Sequence, residues 1–143
     1  MHVSDLLAVK GHDVATISME RSVTDALAML KERRIGALVV TGLSAPLMGI
    51  LSERDVVRAL AERGLAILEQ NVADLMSREV TTCHNDTTVT ALMEMMTGQR
   101  IRHVPVVEDG QVVGMVSIGD VVKARLDELE HDKKELLDYV SSW

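Results

Sequence analysis

Residues 14–40, VATISMERSVTDALAMLKERRIGALVV, and residues 80–107, VTTCHNDTTVTALMEMMTGQRIRHVPVV, are two versions of one segment. Val14, Thr16, Val23, Thr24, Met29, Arg34, Ile35 and Val40 recur at a constant offset as Val80, Thr82, Val89, Thr90, Met95, Arg100, Ile101 and Val106. After a loop one residue shorter in the second copy, GILSERDVVRAL from Gly49 falls on GMVSIGDVVKAR from Gly114. Coincidence does not align so many positions with a single gap, so the chain is two copies of one unit.

Each copy predicts the same elements. A short extended piece (15–17, 81–83) leads into an amphipathic helix. Ser22 and Asp25 are spaced as a capping box ahead of apolar Ala26, Leu27 and Leu30. The second copy's helix starts near Thr88 and turns Val89, Leu92, Met93 and Met96 inward. Two strands follow, 37–41 with 47–51 and 103–107 with 112–116, the second pair joined through Glu108-Asp109-Gly110. Their β-branched runs suit strands buried on both faces. A second helix opens at Ser52 or Ser117.

The fold class expected is α/β (α+β): two β-α-β-β-α repeats packed with pseudo-twofold symmetry, an N-terminal helix and a long C-terminal one. A unit of about 50 residues is too small to stand alone, so the copies are expected to pack sheet to sheet over a shared core. The divisions read from the sequence are an accessory helix segment (1–13), the first repeat (14–68), a linker helix capped by Asn71 (69–79), the second repeat (80–126) and a helical extension (127–143). The last helix runs from about Ile118 to near Ser141. Val122, Leu126, Leu129, Leu136 and Val140 follow heptad spacing on it, with Lys133 at the skipped position, which suits pairing in a homodimer.

Composition narrows the function. Of 143 residues 47% are apolar, and 15 Lys and Arg stand against 22 Asp and Glu, a net charge of −7. There is no Phe, and the aromatics are Tyr139 and Trp143. An acidic surface without a stacking platform argues against nucleic-acid binding. Nothing resembles a signal peptide or a membrane span, and one cysteine suits a reducing, cytoplasmic setting.

The chemistry sits at the end of the second strand pair. Gly49-Ile50-Leu51-Ser52-Glu53-Arg54-Asp55 and Gly114-Met115-Val116-Ser117-Ile118-Gly119-Asp120 share Gly-apolar-apolar-Ser-x-x-Asp. Ser caps a helix whose first turn carries Asp, good helix chemistry in itself. The same place offers N–H groups to a phosphate and a carboxylate to a sugar diol, and it occurs twice in register.

These motifs, with RIRHVPVVEDGQVVGMVS before the second, resemble a tandem pair of CBS domains, the Bateman module, over residues 4–125. The likeness extends to small stand-alone bacterial members. It implies a non-catalytic regulatory module that binds adenosine-containing ligands, among them AMP, ADP, ATP, S-adenosylmethionine and NAD(H), in clefts between the repeats. By position, Asp55 and Asp120 would bind ribose hydroxyls, and Ser52 and Ser117 ribose or phosphate. Thr16 and Thr82 would hold the adenine edge. Arg54, Arg102 and His103 would meet phosphate, and Ile35, Leu38, Ile50, Ile101, Val104 and Met115 would wall the adenine. The first copy departs from the second with Gly36 and Ala37 in place of Arg102 and His103, and Gly119 stands where the first has Arg54, so the clefts are expected to differ. Burial of adenine with a few hydrogen bonds would give micromolar affinity, about −8 kcal/mol.

Other chemistries have little support. Neighbours on a strand point to opposite faces, so Cys83 and His84 cannot pair as thiolate and imidazole. The five histidines show no ligand spacing, so no metal is expected. Arg33, Arg34, Arg54 and Arg58 interleave with Glu32, Glu53 and Asp55, as on a salt-bridged solvated face. The alternative to a sensor is a structural adaptor that dimerises through the last helix with empty clefts.

Overall fold

The computed structural model describes residues 1–142; the end of the expected extension, Trp143, lies outside the described residues. Helix α1 (Val3–Lys10) precedes the first repeat: β1 (Thr16–Ser18), α2 (Val23–Arg33), β2 (Ala37–Thr41), β3 (Gly49–Ser52) and α3 (Glu53–Arg63). A 3₁₀ turn (Gly64–Glu69) and α4 (Val72–Leu75) lead to the second: α5 (Val89–Gln99), β4 (His103–Glu108), β5 (Gln111–Ser117) and α6 (Ile118–Ser141). The fold is α+β.

Strand β1 runs parallel to β2, with Ile17 beside Val40, and β3 returns antiparallel, with Leu51 beside Leu38. In the second repeat β4 and β5 pair alike, Val104 beside Val116. The leading strand expected at 81–83 shrinks to a parallel bridge from Cys83 to Val106, closed by Cys83 N–H to Pro105 O at 3.0 Å and Val107 N–H to Cys83 O at 2.9 Å. The β4–β5 turn places Asp109 and Gly110 at φ 50° and 75°, the conformation that matches strand twist in a two-residue turn.

The capping box expected at Ser22 is half formed. Ser22 Oγ accepts from Asp25 N–H at 3.0 Å, but the Asp25 carboxylate turns to Arg21 Nε, also at 3.0 Å.

The expected single shared core is instead two. Ile17, Val23, Ala26, Leu30, Leu38, Val40 and Leu51 form one, and Val89, Leu92, Met96, Val104, Val106 and Val116 the other. Alternation along the strands puts Ala37 and Val39, and Pro105 and Met115, on the opposite faces. These are buried as well, outside both clusters.

The short helices are exchanged between the cores. Val72, Leu75 and Met76 of the α4 segment pack into the first core, whereas Val3, Leu6 and Leu7 of α1 pack into the second. The hydrogen bonds repeat: Val72 N–H to Arg21 O and Val3 N–H to Thr87 O, both 2.8 Å, then Val23 N–H to Gln70 O at 2.9 Å and Val89 N–H to Met1 O at 3.0 Å. His2-Val3-Ser4-Asp5-Leu6-Leu7 and Asn71-Val72-Ala73-Asp74-Leu75-Met76 are therefore a further pair of equivalent segments, a signal present in the sequence. In both, the third residue after the cap carries an aspartate that reaches back to the cap N–H, Asp5 to His2 at 2.8 Å and Asp74 to Asn71 at 3.0 Å.

Two glycines test this packing. A Cβ on Gly49 would lie 2.6 Å from Ser77 O, a backbone atom that cannot swing away. Gly49→Ala is expected to destabilise by about 1–3 kcal/mol. Gly98 has open space around it inside α5, so Gly98→Ala should stabilise by about 0.5–1 kcal/mol. Urea titration of both variants reads the difference, and equal effects would refute the close approach at Gly49.

Candidate functional site

The β3-to-α3 junction places the first motif. Ser52 caps α3, its Oγ accepting from Asp55 N–H at 3.3 Å, while Asp55 Oδ2 accepts from Ser52 N–H at 2.8 Å and Ser52 Oγ at 3.0 Å. The other carboxylate oxygen, Oδ1, meets Ser77 Oγ at 3.2 Å. Capping thus occupies one oxygen, the second holds Ser77, and both Asp55 and Ser77 line a cleft.

That cleft, about 710 Å³, lies between the repeats. Seven of the residues singled out from the sequence line it: Ile50, Ser52, Arg54, Asp55, Ile101, Arg102 and His103. Gly36 explains how the second repeat reaches in. A Cβ there would sit 3.0 Å from His103 Cε1, so the small residue of one copy makes room for the imidazole of the other. The exchange of Gly36 and Ala37 for Arg102 and His103 therefore gathers cationic chemistry at one cleft.

Other expected residues lie elsewhere. Leu38 and Val104 are fully buried in the two cores, because strand alternation turns them into those clusters; they are core residues and not adenine walls. Ile35 packs against the first core. Thr16 is exposed on β1, and Thr82 is half-buried outside the lining, where its neighbour Thr81 stands instead. Met115 is buried and does not line this cleft. Ser117 and Asp120 repeat the cap geometry, with Asp120 Oδ2 2.8 Å from Ser117 N and 2.9 Å from Ser117 Oγ, but they do not line this cleft. Asp120 instead holds Lys10 Nζ at 2.6 Å. Burial pushes the Asp120 carboxyl up, and the Lys10 and Ser117 donors outweigh it, leaving the group below 3.8.

Arg58, Arg100 and Glu79 also line the cleft and were not singled out for it. Arg54 and Arg58 were expected on a salt-bridged face. Among the described residues Arg54, Arg58, Arg100 and Arg102 make no ion pair, and Arg54 Nη1 donates to Arg100 O at 2.9 Å. Arg100 ends α5 in the left-handed region, φ 54°, as Arg34 ends α2. The signal was the recurrent Arg-Ile after both helices, although nothing in one sequence separates a capping role from a ligand role. These four arginines line the cleft together with the carboxylates of Glu53, Asp55 and Glu79. His103 lies below its usual 6.5, because burial and the nearby Lys10 ammonium disfavour imidazolium more than Glu53 and Asp120 favour it.

Cys83 is buried, and burial, with Glu108 nearby, pushes its thiol up to about 11, which makes it a poor nucleophile. Among the described residues no cluster of three His, Cys, Asp or Glu could hold a metal, and no helix is long and apolar enough to cross a membrane.

The CBS domain profile matches residues 3–62 and again 72–127, so that α1 and α4 each open a match. The chain belongs to the CBS domain family. This CBS pair is similar to the CBS domain-containing protein CBSX3, mitochondrial, of Arabidopsis thaliana, 35% identical over 96% of this chain and 71% of that protein. A CBS-domain containing protein of Agrobacterium tumefaciens superposes with a TM-score of 0.84 at 48% identity, covering 87% of this chain and 92% of that one. The CBS domain pair of protein MJ0100, solved with 5′-methylthioadenosine and S-adenosyl-L-methionine, superposes at 0.76 with 28% identity, covering 87% and 98%.

Proposed function

We propose that this CBS pair is a non-catalytic cytoplasmic sensor that binds an adenosine-containing ligand, AMP, ADP, ATP or NAD(H), in the cleft between its repeats. The carrying observation is the convergence of Ser52, Asp55, Arg54, Arg102 and His103, from both repeats, on one cleft. Asp55 Oδ1 accepts ribose hydroxyls, the guanidinium groups and His103 take phosphate, and Ile50 and Ile101 bracket the base. The adenosine ligands of MJ0100 support this class. Guanidinium groups that make no ion pair among the described residues favour an anionic ligand here. An adaptor with empty clefts has no use for such arginines lining a cleft with a carboxylate.

Occupancy passes through a homodimer. Val122, Leu126, Leu129, Leu136 and Val140 of α6 are each at least half exposed, a seam that a second α6 would cover. Sedimentation of a 15.7 kDa species would remove the dimer from this reading.

Titration calorimetry with AMP, ATP and NADH tests the ligand, and its pH dependence tests His103. A phosphate stabilises imidazolium, so binding takes up a proton and tightens as pH falls toward and below 6.5, by at most about tenfold per unit. Phosphate itself titrates near roughly pH 6, so the comparison is with His103→Asn, which should lose the tightening. The unliganded protein moves oppositely: unfolded His103 takes up protons more readily than folded, so stability falls below pH 6.5. No heat with any of the three ligands would leave the adaptor standing. An unchanged pH profile in His103→Asn would remove His103 from phosphate binding.

A further inference from the structure

The two Asp motifs share cap geometry and differ in what else touches the carboxylate. Asp55 meets a neutral hydroxyl, Ser77 Oγ, and lines an open cleft. Asp120 meets an ammonium: Lys10 Nζ lies 2.6 Å from Asp120 Oδ2 and donates also to Met115 O at 2.6 Å. Met115 answers to Ile50, whose carbonyl is satisfied by the backbone, Ser77 N–H, at 2.9 Å. The first repeat thus closes its strand edge with main chain, and the second with a cation on a flexible stem.

The exchange of short helices produces this difference. Helix α4 ends at Leu75 and Met76 is extended, so the chain runs on beside β3. Helix α1 continues for another turn, to Lys10. Leu7 is wedged against Gly114, where a Cβ would lie 2.7 Å from Leu7 Cδ2, and Lys10 follows one helical turn later on the same face. The residue of the second segment that answers to Lys10 is Glu79, which lines the open cleft.

We infer that the Lys10 side chain is a tethered occupant of the second ligand position, its ammonium seated on the capping oxygen of Asp120 and barring a sugar diol from approaching that carboxylate, so that each chain takes one nucleotide, at Asp55. This rests on the nucleotide reading above. The lysine arrives on α1, which packs into the second core, and only by displacing it would a second ligand reach Asp120.

Titration calorimetry of the full chain with AMP decides it. The wild type should bind one equivalent, abolished by Asp55→Asn, which retains an acceptor for the α3 cap, and unaffected by Asp120→Asn. Lys10→Ala and Lys10→Gln should each bind two, the second lost on adding Asp120→Asn. Retention of the first equivalent shows that each variant is folded. Two equivalents in the wild type, or a single one in either Lys10 variant, would overturn the inference while leaving the nucleotide reading intact. Absence of binding in every protein would overturn the nucleotide reading and, with it, this one.

Discussion

AMP at roughly 100 times its dissociation constant is expected to raise the unfolding free energy by about 2.7 kcal/mol and the melting temperature by about 10 °C. The effect is large because the cleft spans both repeats. Ser52, Arg54 and Asp55 come from β3 and α3, while Ile101, Arg102 and His103 come from the α5–β4 segment. A ligand gripping both sides cannot stay bound when either repeat opens, so its occupancy opposes the unfolding of both. Asp55→Asn should cut the shift to a small remainder, since the diol loses a charged acceptor, while Asp120→Asn should leave it nearly unchanged. A thermal-shift series in AMP reads all three proteins. A shift that survives Asp55→Asn in full would refute the ribose role.

Leu7→Ala is expected to cost about 3 kcal/mol, within the range for emptying a buried leucine site. Leu7 is fully buried in the second core although it precedes the first repeat in the chain. It also packs directly on Gly114, which has no side chain to fill the space that the substitution leaves. Val9, two residues on, is 82% exposed, and Val9→Ala should change stability by at most about 0.5 kcal/mol. Urea unfolding of the two variants makes the comparison. Equal costs would mean that α1 does not belong to the second core.

Much of the fold is legible in local pattern. The repeat offset, the strands at 37–41 and 103–107 and the caps at Ser52, Thr88 and Ser117 all rest on interactions within a few residues. So do the bounds of α6, where no Gly or Pro interrupts the helix beyond Gly119. The leading strand of the second repeat is shorter than the sequence suggests because β-propensity at Thr81 and Thr82 says nothing about a strand partner, and only Cys83 finds one.

The candidate cleft was legible by half. Ser52, Arg54 and Asp55 line it from one motif, and Arg102 and His103, named through the family resemblance, line it from the other repeat. Leu38 and Val104 were misassigned because an apolar strand buried on both faces does not reveal in sequence which face meets the helices and which the other repeat.

By itself, then, the sequence determined that there are two units, what each is built from, and that each carries a Ser-x-x-Asp helix start. Tertiary structure alone decided which core each short helix joins and that His103 reaches across to Gly36. It decided too that Lys10 meets Asp120, 110 residues away in the chain. Periodicity and capping record interactions between near neighbours, whereas the pairing of distant charges depends on the path the chain takes between them. Near-identical Ser-x-x-Asp motifs therefore end in unlike surroundings, one open to a ligand and the other closed by an ammonium.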